Sequence, residues 1–347
     1  MVSAAFVAPV DITCQWMQST QLPPQWNALN ARSGFCPVLD AATIAILRKH
    51  YAQMEQVWTC YDEQGHLIAA TILIGGLLKT SYLPMNQPLG LWVQNPDYPF
   101  EQLLAALVRD SGALMVSIMQ IDPDRLRRPQ GSPRLELVEC METARITTTG
   151  TFDQYWNARG INLRANNKKR RHKLEKAQIT PRLEIVSTPL KIGAAVDQYG
   201  LLESKGWKAK AGTAVHPDNV QGRYYRDLFE VLARHQCASV WQYWYGDRLV
   251  ASDLCVHNDS GLFIVLKTAY DESESATSPS QLMRQEMFSA LWRDGTAVIE
   301  FYGRVMEWHR KWCTEFRSMY HVNAFRWAWL RAVRAGVKKL KARSAPA

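Results

Sequence analysis

The chain has 347 residues, and 47% of them are apolar, which is enough for two domains with full hydrophobic cores. No apolar run approaches the ~20 residues that a transmembrane helix needs. The formal net charge is +9, but seven Lys or Arg and one Glu fall within 164–176, and seven Lys or Arg and no acid follow residue 325. The remainder is slightly acidic, so an anionic partner is expected only at these two segments.

The first residues, MVSAAFVAPVDIT, have no basic segment and only a short apolar stretch, which argues against a secretory signal and predicts a cytoplasmic location. The seven cysteines are scattered, odd in number and without a C-x-x-C pair. This pattern predicts reduced thiols rather than disulfides or a zinc site, and we expect no metal.

In the first half, residues before about Pro37 are predicted to be irregular or loosely helical, because Pro23-Pro24 breaks regular structure. A helix is then predicted over 40–53, followed by strands over 57–61 and 67–73 that form a hairpin around the turn 62–65. A third strand (89–93), a helix (98–109) and a strand (113–118) follow. A Pro- and Arg-rich loop at 123–133 leads to a strand over 135–140.

The second half begins with predicted helices over 152–177, 192–205 and 220–234, and with a strand over 182–186. Strands over 250–256 and 262–269 precede the polar loop 270–278. Ser278 is the predicted N-cap and Pro279 the first residue of a helix that ends at Arg293-Asp294-Gly295. A strand over 297–302, a helix over 307–316, a strand over 319–324 and a basic amphipathic helix over 327–341 complete the chain.

The strand 262–269, the helix from Pro279 and the strand 297–302 form a βαβ unit. This unit places a helix N-terminus at the carboxyl edge of the sheet, where backbone N–H groups can bind an anion. An ordinary capped helix without a ligand fits the same spacing, so the pattern alone leaves both interpretations open.

The strand and helix plan of the first half recurs in the second. Four pairs of positions match at offsets of 180 to 184 residues: Val57 with Val240, Ala69 with Ala251, Pro99 with Pro279, and Arg109 with Arg293. An ordered series of this kind indicates two copies of one βββαβ core.

The run LKTAYDE at 266–272, followed by Ser278-Pro279 and a Leu-Met helix start, resembles the GNAT-type, CelD-like acyltransferases associated with bacterial cellulose and exopolysaccharide biosynthesis. These proteins are relatives of the Fem peptidyltransferases. The resemblance extends over about 152–325 and includes the segments NLRANNKKRRHKLEKA, Gly206-Trp207-Lys208, YRDL at 225–228 and HRKW at 309–312. The chain departs from the family pattern at Ser280, where a Gly is expected and where close approach of the backbone to a pyrophosphate is therefore in doubt.

The resemblance implies an α/β protein of tandem GNAT-like domains with mixed twisted sheets flanked by helices. Residues 1–150 would form a degenerate N-terminal copy, residues 151–326 the acyltransferase domain, and residues 327–347 a basic amphipathic helix and tail. The implied reaction moves an acetyl or other acyl group from a thioester to an amine or hydroxyl, and the acceptor attacks the thioester directly.

By the same analogy, backbone N–H groups of the strand 262–270 would polarise the thioester carbonyl. Asp253 and Glu300 interrupt apolar strands, and each therefore marks either a cleft or a solvent-facing edge. The catalytic candidates are Lys267, Tyr270, Asp271, Asp253, Glu300 and His309. The candidates for binding the acyl donor are Thr268, Ser278, Ser280, Gln281, Lys169 and Arg170.

The donor is expected to be acetyl-CoA, another acyl-CoA or an acidic acyl carrier protein, and the acceptor a sugar or amino compound, with a polysaccharide synthase as a further partner. The basic segment 164–176 fits a docking site for such a donor, but also an ordinary solvated helix face. No tRNA-reading motif is visible, so a nucleic-acid partner is not expected.

Two other functions stay open: a catalytically lapsed subunit that binds or regulates a polysaccharide synthase, and an aminoacyl-tRNA-dependent, Fem-type transferase. The basic C-terminal helix with Trp327 and Trp329 either packs on the second domain or rests on the anionic inner face of a membrane.

Overall fold

The computed structural model describes residues 12–206 and 212–343, and these residues build one mixed sheet of thirteen strands with helices on both faces. Trp207-Lys208, residues 1–11 and residues 344–347 lie outside the described part. The strands in chain order are β1 Cys14–Ser19, β2 Gln56–Asp62, β3 Leu67–Ile74, β4 Leu78–Ser81, β5 Trp92–Gln94, β6 Met115–Ile121, β7 Leu135–Thr147, β8 Pro181–Val186, β9 Ala238–Tyr245, β10 Arg248–His257, β11 Leu262–Tyr270, β12 Val298–Glu300 and β13 Glu315–Phe325.

The α-helices of the described residues are distributed over both halves of the chain. They are α1 Trp26–Arg32, α2 Ala41–Tyr51, α3 Phe100–Asp110, α4 Phe152–Asn157, α5 Ile161–Lys176, α6 Pro189–Glu203, α7 Val220–Arg234, α8 Pro279–Arg293, α9 Glu307–Trp312 and α10 Ala328–Arg343. No helix in this part of the chain is long and apolar enough to cross a membrane.

The two halves share the sheet by exchanging their last strands. The strand order is β1-β2-β3-β4-β6-β13-β7-β12-β11-β10-β9-β8, with β5 paired to β3. β7, from the first half, pairs with β12 of the second half, whereas β13, from the end of the second half, pairs with β6 of the first. The sheet therefore continues across residue 150.

The βββαβ repeat is present in both halves. The hairpin β2–β3 corresponds to β9–β10, and in each half a parallel strand pair follows, β4 with β6 and β11 with β12. The prediction of the third strand at 89–93 was wrong in position, because the strand parallel to β6 is β4, and β5 covers only Trp92–Gln94. Leu89 and Leu91 are buried in the core, which accounts for the apolar pattern in the sequence, but they lie before this short strand.

Several predicted boundaries also differ from the structure. The predicted helix 152–177 is two helices, since Gly160 interrupts it as the N-cap of α5. The predicted helix 307–316 ends at Trp312, and β13 begins at Glu315. The region before Pro37 contains β1, whose side chains alternate between buried and exposed at its start, and helix α1.

The hydrophobic cores differ between the two faces of the sheet. One face carries a single core that joins both halves through α2, α6 and α7, with Ile44, Val57, Phe229 and Leu254 among its buried members. The other face has separate cores, one beneath α3, one beneath α4, α8 and α9, and a smaller one between α5, α8 and strands β9 and β10. The candidate active site lies in the second half of the chain, where the pairing between β11 and β12 ends.

Candidate active site

The parallel strands β11 and β12 separate shortly after they begin to pair. They pair only from Leu262 with Val298 to Ile264 with Glu300, and no other strand of the described chain pairs with that side of β11 beyond Ile264. Backbone N–H groups on this open edge can donate hydrogen bonds to a bound group. The gap is thus a place where a ligand can complete the sheet.

A β-bulge lies in β11 at the beginning of this gap. On the neighbouring strand, Leu254 pairs with Lys267 and Cys255 pairs with Val265, which leaves Leu266 as an extra residue. A bulge of this kind bends the strand and reorients its backbone and side chains, and bulges are common beside active sites.

Helix α8 begins at the end of the loop that follows β11. Ser278 is its N-cap residue, as predicted, but it adopts a left-handed conformation with φ of 44° and does not cap the helix through its side chain. Its hydroxyl instead donates to the carbonyl of Ser275 at 3.0 Å. Ser280 and Gln281 occupy the first turn, and the N–H of Gln281 donates to the carbonyl of Ser278 at 3.0 Å. The N–H of Ser280 lies where the first-turn donors of a helix can bind an anion.

A cavity of about 730 Å³ lies between α5, α8 and α9. Four cationic side chains and no acidic one line it, together with Gln281, Trp308 and residues of the start of α5: Arg159, Arg170, Arg310 and Lys311. Its size is within the range of small-molecule sites. Arg310 and Lys311 are paired with Glu142 and Glu307, at 2.6 and 2.7 Å. The excess positive charge that favours an anionic ligand therefore comes from Arg159 and Arg170.

Hydrogen bonds fix the walls of this cavity relative to one another. Asn167 of α5 donates to the carbonyl of Gln281 at 3.4 Å and accepts from Arg170 at 2.8 Å. The side-chain oxygen of Gln281 accepts from the indole of Trp312 in α9 at 2.8 Å. Arg170 and Gln281, both predicted to bind the donor, are thereby brought together.

Lys169 is not part of this cavity, although it is adjacent to Arg170 in the sequence. It lines a separate groove of about 680 Å³ on the outer side of α5, with Lys168, Arg171 and Gln285. Adjacent residues in a helix point about 100° apart. The structure therefore divides the two predicted cationic residues between two surfaces.

Beneath α8 lies a buried cluster of polar side chains that contains two predicted catalytic residues. Asp253 is 1% exposed, and its carboxylate is 3.9 Å from the guanidinium of Arg284, which is 3% exposed. Thr268 pairs directly with Asp253 across β10 and β11, so both side chains lie on this face. The guanidinium of Arg284 stacks 4.0 Å from the ring centre of Trp308, and within residues 12–206 and 212–343 its Nε has no hydrogen-bond partner.

His309 packs beside this cluster as a neutral imidazole. Burial, together with repulsion from Arg284, lowers its pKa to about 4. Its Nδ1 accepts a hydrogen bond from the backbone N–H of Met306 at 2.9 Å, so the ring proton is on Nε2. In this state His309 can donate a hydrogen bond at Nε2 but cannot accept a proton there.

Glu300 lies at the last paired position of β12, on the opposite face of the sheet. Its carboxylate accepts a hydrogen bond from Arg317 at 2.7 Å, and Arg317 also bonds both carboxylate oxygens of Asp122, at 2.9 and 2.6 Å. The hydroxyl of Tyr302 donates to Asp122 at 2.9 Å. Residues of both halves thus meet around one buried guanidinium.

The two carboxylates of this network have different proton affinities. Burial raises the pKa of Glu300 to about 7, although the charge of Arg317 acts in the opposite direction. Burial also acts to raise the pKa of Asp122, but the hydrogen bonds and charge of Arg317 outweigh it and the pKa is lowered. Asp122 is therefore the charged partner of Arg317, and Glu300 can exchange a proton near neutral pH.

The remaining predicted catalytic residues lie at the end of β11. The ammonium of Lys267 is 5.7 Å from the ring centre of buried Tyr225, on the face of α6 and α7. Tyr270 is 44% exposed, and Asp271 begins a short turn in which it accepts from the N–H of Ser273 at 3.0 Å. The six predicted catalytic residues are thus distributed over three places around the gap.

Sequence reasoning did not identify Arg284, Arg317 and Asp122. Arg284 lies one turn before Phe288 in the apolar stripe of α8, and Arg317 lies two residues before the buried Met319 in β13. A charged residue inside an apolar stripe is costly unless it has a partner or a role, so these positions carried a usable signal.

Comparison with known proteins gives a class of protein for the second half of the chain. Residues 162–310 match the family model of the acetyltransferase (GNAT) domain, and this segment contains the gap and most of the residues that line the cationic cavity. The match shows that these residues are similar to a GNAT-type domain. No curated protein sequence matches the chain.

Solved structures share the fold over nearly the whole chain. FemX superposes with a TM-score of 0.59 at 9% identity and covers 91% of this chain and 99% of its own. The C-terminal domain of a putative lysylphosphatidylglycerol synthetase from Agrobacterium fabrum gives a TM-score of 0.51 at 14% identity and covers 90% and 97%. At such identities the similarity concerns the fold, which is the predicted α/β architecture of GNAT type.

Proposed function

We propose that this protein is an acyltransferase that moves an acyl group from an acyl-CoA thioester to an amine or hydroxyl of an acceptor molecule. The observation that carries the proposal is the gap between β11 and β12 within the segment that matches the GNAT domain. Helix α8, which follows β11 in the chain, contributes Gln281 to the cationic cavity.

The donor occupies the cavity between α5, α8 and α9. Its phosphate groups pair with Arg170 and with the N–H of Ser280 at the start of α8, and Arg310 and Lys311 bind them by exchanging their present partners Glu142 and Glu307. The pantetheine arm completes the edge of β11. The thioester carbonyl then lies by the bulge at Leu266, where a backbone N–H stabilises the negative charge that develops on its oxygen.

The acceptor approaches from the face on which Glu300 and Lys267 lie. Its nitrogen or oxygen attacks the thioester carbon, a C–N or C–O bond forms, the C–S bond breaks and CoA leaves as a thiolate. The proton released by the acceptor passes to the carboxylate of Glu300, directly or through water, because a base with a pKa of about 7 is half ionised at neutral pH. The family resemblance suggests a sugar or an exopolysaccharide precursor as the acceptor.

The direct test is thermal unfolding of the purified protein with acetyl-CoA, a long-chain acyl-CoA or free CoA, since a ligand that binds only the folded state raises Tm. We expect an increase with at least one thioester, and we expect Arg170→Gln to weaken its binding about tenfold or more, as loss of one charge-assisted hydrogen bond does.

Lys169→Gln is the matched control, because it removes the same charge from the adjacent position on the outer side of α5. It should leave the dissociation constant of the thioester within about twofold, as surface charges far from a ligand contribute little. Equal loss in both variants would show that bulk charge, and not this cavity, binds the donor. No Tm increase with any of the three ligands would contradict the proposal.

A second candidate is transfer from aminoacyl-tRNA. It is favoured by the outer groove of α5, which is separate from the cavity and which Lys168, Lys169 and Arg171 line together with Glu175. Arg171 is also paired with Glu286 at 2.9 Å. This function predicts tRNA binding that weakens steeply with salt and is lost when these cations are neutralised. Lys169→Gln, the control above, would then weaken tRNA binding more than Arg170→Gln does.

A further inference from the structure

Helix α10 turns its apolar side away from the rest of the protein. Trp329, Val333 and Val337 recur every four residues on one side of the helix, and they are 58%, 53% and 46% exposed. In a helix that simply covers a domain, such a stripe faces the core. Here it faces outward.

The opposite, cationic side of α10 attaches the helix to the sheet. Arg331 donates to the carbonyl of Ser132 at 2.7 Å, and Arg334 bonds the carboxylate of Glu136 at 2.5 Å. These contacts fix the direction in which the apolar stripe points. The packing of the Trp face on the second domain, one of the two interpretations of the sequence, does not occur for Trp329.

Further exposed apolar side chains lie at the end of the sheet where β13 leads into α10 and where β4 and β6 begin. Trp327 is 43% exposed and stacks on Trp329 with ring centres 5.9 Å apart. The N–H of Arg326 donates to Leu114 at 2.9 Å, and the N–H of Leu114 donates to Leu77 at 2.7 Å, so Leu77 is only two strand spacings away. Leu77 and Leu78 are 64% and 61% exposed.

The charge near these side chains is mainly positive. Arg326, Arg331 and Arg334 belong to this segment, and the nearby Glu136 is paired with Arg334. Glu101 lines the same cavity as Trp327, together with Arg109, Arg134 and Arg326. Paired Trp rings, exposed aliphatic side chains and cations match the interface of a bilayer, where Trp lies at the headgroup level and Lys and Arg attract anionic lipids.

We propose that this surface, which we name the α10 surface and define by Leu77, Leu78, Trp327, Trp329, Val333 and Val337, docks the protein on an anionic phospholipid bilayer. The bilayer covers the apolar side chains, and its headgroups neutralise the excess of cations. The helix lies on the membrane and does not span it. This binding is independent of acyl transfer, since the surface contains none of the residues assigned to the reaction.

The test is co-sedimentation of the 347-residue protein with vesicles of phosphatidylcholine alone or with about one-third phosphatidylglycerol, a content that gives a clear negative surface potential. We expect binding to the anionic vesicles only. Trp327→Ser with Trp329→Ser should reduce the partition coefficient about tenfold or more, because both aromatic anchors are lost.

Two controls separate this surface from general charge and general hydrophobicity. Lys168→Gln with Lys169→Gln removes two cations from α5, and Leu190→Ser removes an apolar side chain that is 98% exposed. Both should retain vesicle binding, and circular dichroism should show the same fold for all variants.

Three results would overturn the proposal. They are no binding of the parent protein to anionic vesicles, binding that the Trp substitutions leave unchanged, and a stable dimer in solution that the same Trp substitutions dissociate in the absence of lipid. The last result would assign the α10 surface to a second copy of the chain.

Discussion

Glu300 and Arg284 show how burial changes the chemistry of single side chains in this protein. Glu300 is 2% exposed and shares one guanidinium with Asp122. Arg284 is 3% exposed, and its guanidinium lies 3.9 Å from the carboxylate of Asp253 and 4.0 Å from the ring centre of Trp308. Groups held in this way keep a free-energy cost that a substrate can relieve.

The pH dependence of stability should reveal Glu300. Because its folded-state pKa is raised to about 7, its contribution to stability is fully present below its unfolded pKa and is lost as the pH rises through 7. Glu300→Gln removes this loss, so the stability of the variant relative to the parent should increase between pH 5 and pH 8. Urea denaturation at these pH values measures the difference. A difference that stays constant across this range would show that Glu300 does not titrate near neutrality.

Sequence reasoning singled out Asp253 and Glu300 because each interrupts an apolar strand, and His309 because it belongs to the HRKW segment of the family resemblance. It could not find how they are grouped. Asp253 and His309 lie on one face of the sheet and Glu300 on the other, and a face assignment needs the register of strands far apart in the sequence. The partners Asp122 and Arg317 are 195 residues apart, which no local pattern connects.

At the scale of elements, the sequence predicted the helices and strands that have strong periodicity. Helix 220–234 was predicted with its observed bounds, and β2, β3 and α8 were predicted to within a few residues. β1 and β4 were missed because their short segments mix polar and apolar residues and are defined by their neighbours in the sheet.

The bulge in β11 should be more important for donor binding than the side chain it contains. Deletion of Leu266 leaves the pairs of Leu254 with Lys267 and Cys255 with Val265 on a regular ladder. We expect the chain to fold, but we expect the dissociation constant for acyl-CoA to rise about tenfold or more. The reason is that no backbone N–H of β11 is then turned into the gap to form a hydrogen bond with the thioester.

The matched control is Leu266→Ala, which keeps the bulge and removes the packing of the side chain against the core. Isothermal titration with acetyl-CoA compares the two variants. Binding of acetyl-CoA by the deletion variant as tightly as by the parent would show that the bulge has no part in the site. A loss of folding stability in the deletion variant alone would indicate that the bulge serves the fold instead.

At the scale of the whole molecule, the exchange of β7 and β13 makes the two halves interdependent. β6 has β13 as its partner, and β12 has β7. The first core on one face of the sheet also contains residues from both halves. The sequence repeat predicted two copies of one unit, but it carried no information about which copy each last strand joins.

The intact chain should therefore unfold in one cooperative transition. Fragments cut at the predicted boundary, 1–150 and 151–347, should each lack that transition in differential scanning calorimetry, because one lacks β13 and the other lacks β7. Mixing the unfolded fragments and refolding them together should restore it. Cooperative unfolding of either fragment alone near the Tm of the intact protein would show that the exchange is not required for folding.

The same exchange affects how the protein is made. Ser117 of β6 bonds Asn323 of β13 across 206 residues of sequence. At synthesis rates of about 5 to 20 residues per second, ~10 to 40 s pass between the translation of these two strands. During that interval the nascent first half carries an open strand edge, which is a site for pairing with other chains. Its correct partner is translated 206 residues later, so chaperones or slow early folding must protect this edge until β13 has emerged.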